Sequence, residues 1–451
     1  MTPVRRELRE LWLLAWPLVM TQLGFMMLGV VDTLLLGHLS TEALAASALA
    51  NMWSWGGLAL GMGAVLGMDP LVSQAHGERD EQAGALALQR GIAVALLMSI
   101  SVTAMVLFTG PGLVLLGQDP EISALAHTYN LIRAPSAAFF LVFTAMRSWL
   151  SGRGLVAPAM WVSVGVNVLN LVLGWALIFG RLGLPRLELV GAAIVASLVV
   201  VLQPFLLWWL IRATNLHEGA WRPWDRRSFE LAGVWQILRL GLPIGMQLSL
   251  EGWAWSFSTL MAGWLSTTAL GAHVIVLNMA SVSFMFPLGV GLAASVRVGN
   301  LIGAADLPGA RRSAEMSVAA GAALMGGFAL LFTLFARQLP LLYTNDLDVV
   351  ALGALILPIA GAFQIFDGTQ VVAGGVLRGA GRTHAAAWVN LVGFWGVALP
   401  LAWLWAFRDG GDLAGIWWGL TAGLFAVSAA LVLWVRRTLN QPLDALRVVT
   451  R

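Results

Sequence analysis

Two acidic residues stand inside long apolar stretches of the sequence. Glu251 lies in "GLPIGMQLSLEGWAWSF" and Asp367 in "ILPIAGAFQIFDGTQVVAGG". A carboxylate at bilayer depth is costly, so such a residue usually faces the interior of a helix bundle and is functional. Two carboxylates close in depth can bind one cation or share one proton. We therefore expect cation uptake and release at Glu251 and Asp367, which would be the metal ligands if the ion is Na⁺.

Neutral amide side chains accompany both acids. Gln247 precedes Glu251 by one helical turn and shares its face, and Gln364 and Gln370 flank Asp367 three residues away on either side. Glu251 lies about seventeen and Asp367 about eleven residues from the inner ends of their apolar runs. At about 1.5 Å per residue, both fall in the middle third of a bilayer. We expect the three glutamines to line a cavity beside the acids.

A third acid, Asp32 in "MLGVVDTLLLGHLS", lies near the outer end of the first apolar run. Asn170 and Asn167 of the fifth run are candidates to pair with it, and we expect Asn170 and Asn278 to line the cavity. Trp253, next to the acid of the seventh run, is a further cavity candidate, because an aromatic face beside a carboxylate suits a flat organic cation. The alternative for each of these residues is plain packing or hydrogen bonding between helices.

The elements that must position these residues are long and apolar. The chain has 451 residues, of which 59% are hydrophobic and 11% charged, too few charges to cover a soluble protein. Apolar stretches of about 20 residues are typical of membrane-spanning helices. The twelve predicted spans are 11–36, 44–76, 84–109, 121–150, 158–180, 189–212, 233–262, 268–302, 310–337, 347–378, 384–407 and 412–437.

All 26 basic residues are arginines, and most fall in the loops on one side of the predicted spans. The opposite loops hold Arg181, Arg186, Arg337 and Arg408. The positive-inside rule then predicts that both termini are cytoplasmic. This thin spread over short loops argues against a nucleic-acid partner. Arg297 in "ASVRVGNLIG" is predicted to be a structural anchor near the cytoplasmic face.

The two halves of the chain resemble each other. Pro17 matches Pro243 and Gly37 matches Gly263, and the two pairs share one offset, close to half the chain length. Six spans per half is an even number, so the two copies point the same way, as in transporters built from parallel repeats. We predict an all-α integral membrane protein with twelve transmembrane helices in two parallel-repeat six-helix lobes around a central cavity. The N-lobe is assigned residues 1–220 and the C-lobe residues 221–451.

Motifs for other chemistry are missing from the sequence. It has no Walker A motif, no H-E-x-x-H pair and no set of nucleophile and base, and it contains no cysteine. We therefore expect no enzyme activity and no cofactor other than a coupling ion.

Four segments, in order, resemble the multidrug and toxic compound extrusion (MATE) family, and its NorM branch in particular. They are "MLGVVDTLLLGHLS", "GLPIGMQLSLE", "ASVRVGNLIGA" and "FQIFDGTQVVAGGVLRGAGRT". The resemblance covers nearly all twelve spans. It implies a multidrug efflux protein of antibiotic resistance, an antiporter that expels cationic or amphiphilic drugs in exchange for inward-moving H⁺ or Na⁺. Such proteins alternate between outward-open and inward-open states.

The resemblance assigns ion coupling to Asp32, Glu251 and Asp367. Two positions depart from the family pattern. Members often carry a tyrosine four residues before the acid of the tenth span, where this chain has Phe363, a cavity residue without a hydroxyl ligand. Members also tend to have Asn or Asp where this chain has Gly174, so the first-lobe site is expected to be incomplete.

The resemblance further implies a monomer in the bacterial inner (plasma) membrane, with the lipid bilayer and drug substrates as its partners. Two alternatives remain open. A flippase for a lipid-linked precursor shares the two-lobed architecture but needs a basic cavity for phosphate. An integral membrane enzyme would need the catalytic groups that the sequence lacks.

Overall fold

The structure is a computed structural model that describes residues 3–448, and within this range it is helical with no β-strand. Two short 3-10 helices, Arg226–Phe229 and Pro340–Leu342, and two π-helical segments, Val392–Ala398 and Leu404–Arg408, join the α-helices. The α-helices are α1 (Pro3–Gly37), α2 (Thr41–Leu66), α3 (Asp69–Gly77), α4 (Glu81–Leu107), α5 (Thr109–Leu115), α6 (Pro120–Arg133), α7 (Ser136–Gly152), α8 (Ala157–Phe179), α9 (Glu188–Ala213), α10 (Leu231–Leu265), α11 (Thr267–Gly303), α12 (Leu307–Leu334), α13 (Leu347–Gly379), α14 (Thr383–Leu391), α15 (Leu399–Trp403), α16 (Asp412–Leu439) and α17 (Leu443–Leu446). The extreme termini, to which a cytoplasmic position was assigned, lie outside the described residues.

The predicted spans match these helices closely. Within residues 3–448, ten helical segments are long and apolar enough to cross a membrane. The other two predicted spans correspond to the 35-residue α10 and to the pair α6 and α7, which Ala134 and Pro135 separate. Proline has no backbone N–H to donate, which favours an interruption there. The prediction of an all-α integral membrane protein with twelve spans in two six-helix halves is confirmed.

Matching caps mark the start of the second span in each half. Ser40 accepts a hydrogen bond from the backbone N–H of Ala43 at 3.1 Å, and Ser266 accepts one from Ala269 at 2.9 Å. Both serines have extended backbone and satisfy a free N–H of the first helical turn. The two serines occupy equivalent positions in the two halves, so the repeat extends to the details of helix initiation.

The described chain forms two compact units. Unit 1 contains the described residues up to Val19 together with Leu250–Val448, and unit 2 contains Met20–Ser249. The boundaries therefore fall inside α1 and inside α10, close after Pro17 and Pro243. The division of the chain into lobes at residue 220 stays a prediction.

The connector between α9 and α10 is docked within unit 2. Gln89 donates its amide to the carbonyl oxygen of Arg222 at 2.9 Å and accepts the hydroxyl of Ser228 at 2.7 Å. Arg90 is 1% exposed and pairs with Glu230 at 3.1 Å. Gln89 and Arg90 belong to α4 and hold the connector where α10 begins. The connector is therefore an ordered part of unit 2.

The first turns of α1 are attached within unit 1. Arg297 of α11 donates Nε and Nη2 to the two carboxylate oxygens of Glu7, each at 2.9 Å, and also pairs with Glu10. A two-pronged arginine–carboxylate contact fixes orientation as well as distance. Arg297 thus lies in the anchoring position predicted for it.

Glycines bring helix backbones into direct contact at repeat-related places. In unit 2, a Cβ added to Gly63 of α2 would lie 2.1 Å from the backbone nitrogen of Gly245 in α10. In unit 1, a Cβ added to Gly289 of α11 would lie 2.4 Å from a side-chain carbon of Val19 and 2.8 Å from its nitrogen. Gly63 and Gly289 are equivalent positions of the two halves, as are Val19 and Gly245. The same packing scheme therefore occurs once in each unit.

Candidate functional site

The two predicted coupling acids lie together in unit 1. Asp367, in the middle of α13, is 4% exposed, and Glu251, in the part of α10 that belongs to this unit, is partly exposed. One turn beyond Glu251, Trp255 contacts Phe363, which lies one turn before Asp367, with ring centroids 5.3 Å apart. The structure thus places the two acids on neighbouring helices of unit 1, and their joint role in ion uptake stays a prediction. A pair of like charges in a protein interior favours uptake of a positive ion.

Several polar atoms around Asp367 have unused hydrogen-bonding capacity. Among the described residues, no hydrogen-bond partner is present for Oδ1 of Asp367, for Oε1 of Gln364, or for the amide oxygen of Gln370, whose amide nitrogen is oriented toward the carboxylate of Glu251. Gln364 and Gln370 are fully buried, and Gln364 donates its amide to the hydroxyl of Ser283. Buried polar groups are normally paired, so each such atom calls for an explanation, such as an ion or a water.

The acids and amides together offer oxygen ligands for an ion. Within residues 3–448, no group of three or more His, Cys, Asp or Glu side chains is placed to hold a metal. A hard cation such as Na⁺ would therefore need amide or backbone oxygens besides the carboxylates of Glu251 and Asp367. Gln370, one turn after Asp367, has an unpartnered amide oxygen that suits this role.

A π-helical segment borders the acid of α10. Trp395, in Val392–Ala398, donates its indole N–H to the backbone carbonyl of Leu250 at 3.2 Å. Leu250 is the residue directly before Glu251. The π-helical turn is a rare irregularity that occurs frequently at functional sites. Here it fixes the helix backbone next to one of the two carboxylates.

Phe363 belongs to an aromatic cluster in the core of unit 1. Its side chain is 1% exposed and makes edge contacts with Trp255 at 5.3 Å and with Trp417 at 5.8 Å between ring centroids. Such T-shaped arrangements stabilise aromatic pairs beyond their buried area. His273 also contacts Trp417, with ring centroids 5.6 Å apart. Phe363 therefore packs against side chains in this structure, and its lining of a cavity stays a prediction.

The remaining second-half candidates have more open positions. Trp253 is 54% exposed, and Asn278 is exposed, with its amide 3.5 Å from the carbonyl oxygen of Val274. Gln247 is partly exposed and lies in the part of α10 that belongs to unit 2. Among the described residues, none of these three side chains forms a hydrogen bond with Asp367. Their role in lining a cavity stays a prediction.

The first-half acid pairs as predicted with one of the two asparagines. Asn170 of α8 is 1% exposed and donates its amide to Oδ1 of Asp32 at 3.0 Å. Asn167 instead donates to the carbonyl oxygens of Gly24 at 2.9 Å and Ser163 at 2.8 Å. Asn170 therefore belongs to the polar site of Asp32, whereas Asn167 holds two helix backbones together.

The side chain of Leu35 lies against Gly174. A Cβ placed on Gly174 would lie 2.7 Å from Cδ1 of Leu35, so the end of this side chain would have to move for an Asn or Asp. This agrees with the expectation that the first-half site lacks that polar group.

Arg133, at the end of α6, is a further polar residue beyond those proposed from the sequence. Its guanidinium donates to Oδ1 of Asn51 at 2.6 Å and lies 5.1 Å from the ring centroid of Tyr129. A signal was available, because Arg133 is the arginine of the fourth predicted span that falls in neither loop group. An unassigned charge within a span marks a candidate site.

Comparisons with known proteins agree with this architecture. The MatE family model matches the chain twice, over residues 17–176 and 243–404, so its two copies begin at the repeat-related Pro17 and Pro243. "Probable multidrug resistance protein NorM" of Bradyrhizobium diazoefficiens is 36% identical over 442 residues, covering 95% of this chain and 93% of the relative. "Multidrug and toxin extrusion protein 2" of Mus musculus is 30% identical, covering 96% and 75%.

The fold also matches a solved structure. The crystal structure of the eukaryotic MATE transporter AtDTX14 superimposes with a TM-score of 0.88 at 23% identity, covering 98% of this chain and 97% of the other. Twelve apolar spans in two repeated halves, with the buried carboxylate of Asp367 among them, define a multi-pass membrane transporter. Within that class, the chain belongs to the MatE family, and its resemblance to the NorM branch is confirmed.

Proposed function

We propose that the protein is a multidrug exporter that couples the outward movement of cationic or amphiphilic drugs to the inward movement of H⁺ or Na⁺. The names of its relatives, which are multidrug resistance and toxin extrusion proteins, support the substrate class. The arginine distribution supports cytoplasmic termini. The bacterial NorM relatives support a position in the bacterial inner membrane. In this proposal, the protein acts as a monomer and transports its substrates by alternating access.

The charge state of the site in unit 1 carries this proposal. Among the described residues, neither Glu251 nor Asp367 forms a salt bridge with an arginine or a histidine. Two carboxylates on neighbouring helices, of which Asp367 is buried, are costly to keep charged without a protein counter-ion. A cation from solution, either a proton or Na⁺, removes this cost. The carboxylates and the amide of Gln370 are the proposed ligands.

Ion binding at this site must act through a difference between two conformations. A ligand shifts a conformational equilibrium only by its difference in affinity for the two states. For a neutral amphiphilic drug, each coupled ion that moves down a membrane potential of 100 mV supplies about 2.3 kcal/mol, which corresponds to a drug concentration ratio of about 50. Exchange of one monovalent cationic drug for one such ion moves no net charge, so only the ion gradient drives it. Loss of one coupled ion is therefore expected to lower the maximal accumulation of a neutral drug by about a factor of 50 at this potential.

Dye accumulation in inverted membrane vesicles tests the proposal. Vesicles receive either a pH gradient or a Na⁺ gradient, each acid or Na⁺-rich inside, and the gradient that drives dye uptake identifies the coupling ion. Asp367→Asn and Glu251→Gln are expected to abolish gradient-driven uptake while expression remains normal. Asp409→Asn, an acid in an exposed loop, serves as the control and is expected to transport normally. Undiminished uptake by the Asp367→Asn variant refutes the assignment.

A further inference from the structure

An exposed surface of aromatic and basic side chains lies where the connector between α9 and α10 meets the start of α10. Trp224 and Phe229 are 44% and 62% exposed, and their rings stack with centroids 5.5 Å apart and an angle of 24° between the planes. Arg226 and Arg227, both exposed, lie between them on the short 3-10 helix. Because the stack closes this turn, the two arginines lie at its tip.

The first turns of α10 continue this surface. Leu231, Trp235 and Arg239 follow one another at intervals of four residues, so they lie on one helix face, and all three are exposed. A long arginine side chain on an apolar face extends toward the polar headgroups of a bilayer. We call the exposed aromatic and arginine side chains of residues 224–239 the connector surface.

The connector surface carries an unbalanced positive charge. Residues 221–239 contain four arginines and two acids. Both acids pair with other arginines, Asp225 with Arg222 and Glu230 with Arg90 of α4. The salt bridges among the described residues include none of the three arginines of the connector surface. These guanidinium groups suit a phosphate, which accepts paired N–H donors.

Buried hydrogen bonds hold this turn in place. Ser228, which is fully buried, donates its hydroxyl to Gln89 at 2.7 Å, and Arg90 donates its Nε to the carbonyl oxygen of Arg227 at 3.1 Å. Asp225 accepts the backbone N–H of Ser228 and caps the 3-10 helix. The exposed arginines therefore extend from a fixed backbone, and binding of a ligand requires little ordering of the protein.

The turn lies at the depth of lipid headgroups. Arg90 falls about six residues inside the third predicted span, 84–109, or about 9 Å from its inner end. A Cβ added to Gly233 of α10 would lie 2.1 Å from Cζ of Arg90, so the start of α10 has the same depth. Exposed tryptophans are typical of this interfacial region. Lipids of the bilayer are therefore the molecules that meet the connector surface.

We propose that the connector surface binds the headgroup of an acidic phospholipid, with the phosphate on its arginines and the acyl chains along Trp224, Phe229 and Trp235. Basic sites beside membrane-spanning helices are typical places for such headgroups. The quaternary ammonium of phosphatidylcholine offsets its phosphate, so charge complementarity favours a lipid with net negative charge. Lipid binding here involves neither Glu251 nor Asp367 and is independent of the proposed transport function.

Photolabelling with a phosphatidylglycerol that carries a diazirine in one acyl chain tests this proposal. The purified full chain, in micelles of detergent and phosphatidylcholine, is irradiated with a trace of this lipid, and peptide mass spectrometry locates the adducts. We expect the adducts to be concentrated in residues 221–239. Excess unlabelled phosphatidylglycerol should suppress them, whereas the same amount of added phosphatidylcholine or inorganic phosphate should not.

Substitutions assign the effect to the arginines. Arg226→Gln with Arg227→Gln is expected to lower the adduct yield in residues 221–239 about 25-fold, or about fivefold for each arginine. Arg436→Gln with Arg437→Gln, an exposed adjacent pair at the end of α16, is the control and should lower it less than about twofold. Equal losses in the two double variants would indicate general attraction to net charge and overturn the proposal.

The wild-type protein alone also allows refutation, even if the double variants fail to fold. Adducts spread evenly over the chain would overturn the proposal, as would competition by phosphatidylcholine as strong as that by phosphatidylglycerol. Suppression by inorganic phosphate at the same concentration would assign the arginines to a free anion and reject a lipid site.

Discussion

The backbone contact between α2 and α10 makes a strong prediction for Gly63→Ala. An added Cβ would lie 2.1 Å from the nitrogen and 2.2 Å from the Cα of Gly245, whereas ordinary contact begins at 3.4 Å. The two helices must therefore move apart at this point until the shorter of these distances reaches ordinary contact. Both atoms belong to backbone, so no side-chain rotation can relieve the clash.

The expected cost follows from two opposing effects. Overpacking of a tight interior costs about 1–3 kcal/mol, and a clash with backbone falls at the upper end. Alanine returns up to about 1 kcal/mol through its higher helix propensity. The net loss for Gly63→Ala is then about 2 kcal/mol, a factor of about 30 in the folded-to-unfolded ratio. Gly289→Ala should lose less, because its nearest neighbour is a side-chain carbon of Val19.

The stabilities of these variants can be compared by heating the purified proteins in detergent and measuring the loss of the monodisperse peak in size-exclusion chromatography. Gly165→Ala is the matched control, because it lies in an exposed position of α8 with no atom within 4 Å of the added carbon. We expect midpoints that rise from Gly63→Ala through Gly289→Ala to Gly165→Ala, the last at or above wild type. If Gly63→Ala is as stable as Gly165→Ala, the two helices do not approach as closely as described.

Two further substitutions test the anchor and the aromatic cluster. Arg297→Ala removes both hydrogen bonds to Glu7, which is only 12% exposed, and should cost about 1–3 kcal/mol in the same assay. Arg6→Ala, which breaks an exposed pair with Glu10, should cost less than about 1 kcal/mol, and equal losses would contradict the anchoring role. Phe363→Tyr buries a hydroxyl and should lower the free energy of unfolding in Na⁺-free K⁺ buffer by about 1–3 kcal/mol, which appears as a lower midpoint. If Na⁺ is the coupling ion, Na⁺ should stabilise this variant more than wild type, and an equal response would argue against a hydroxyl ligand at this position.

The sequence was sufficient to predict the spans and the pair of second-half acids. Hydrophobic length determines where a helix can cross a bilayer, and this property is local in the sequence. The pairing of Asp32 with Asn170 was also accessible, because both are polar residues within the apolar spans of the first half. The interruption of the fourth span at Pro135 was missed, since the stretch is apolar on both sides of it.

Other features depend on packing that a single sequence does not encode locally. Asn167 and Asn170 differ only in which helix face they occupy, and only the fold shows that Asn167 binds backbone. The unpartnered amide oxygen of Gln370 depends on the positions of all neighbouring donors and acceptors, which only the fold provides. Arg133 lies within a predicted span, so the positive-inside rule, which concerns the arginines of the loops, does not indicate it.

The division of α1 and α10 between the compact units has a consequence for the origin of the chain. A protein consisting of one repeat alone would carry a leading helix whose first half packs on a different six-helix set. Two such ancestral molecules would have to trade those segments to satisfy both, as in a domain-swapped dimer. Gene duplication and fusion would then have joined two polypeptides that already exchanged these helix segments, and the connector between α9 and α10 would be the linker that joins them.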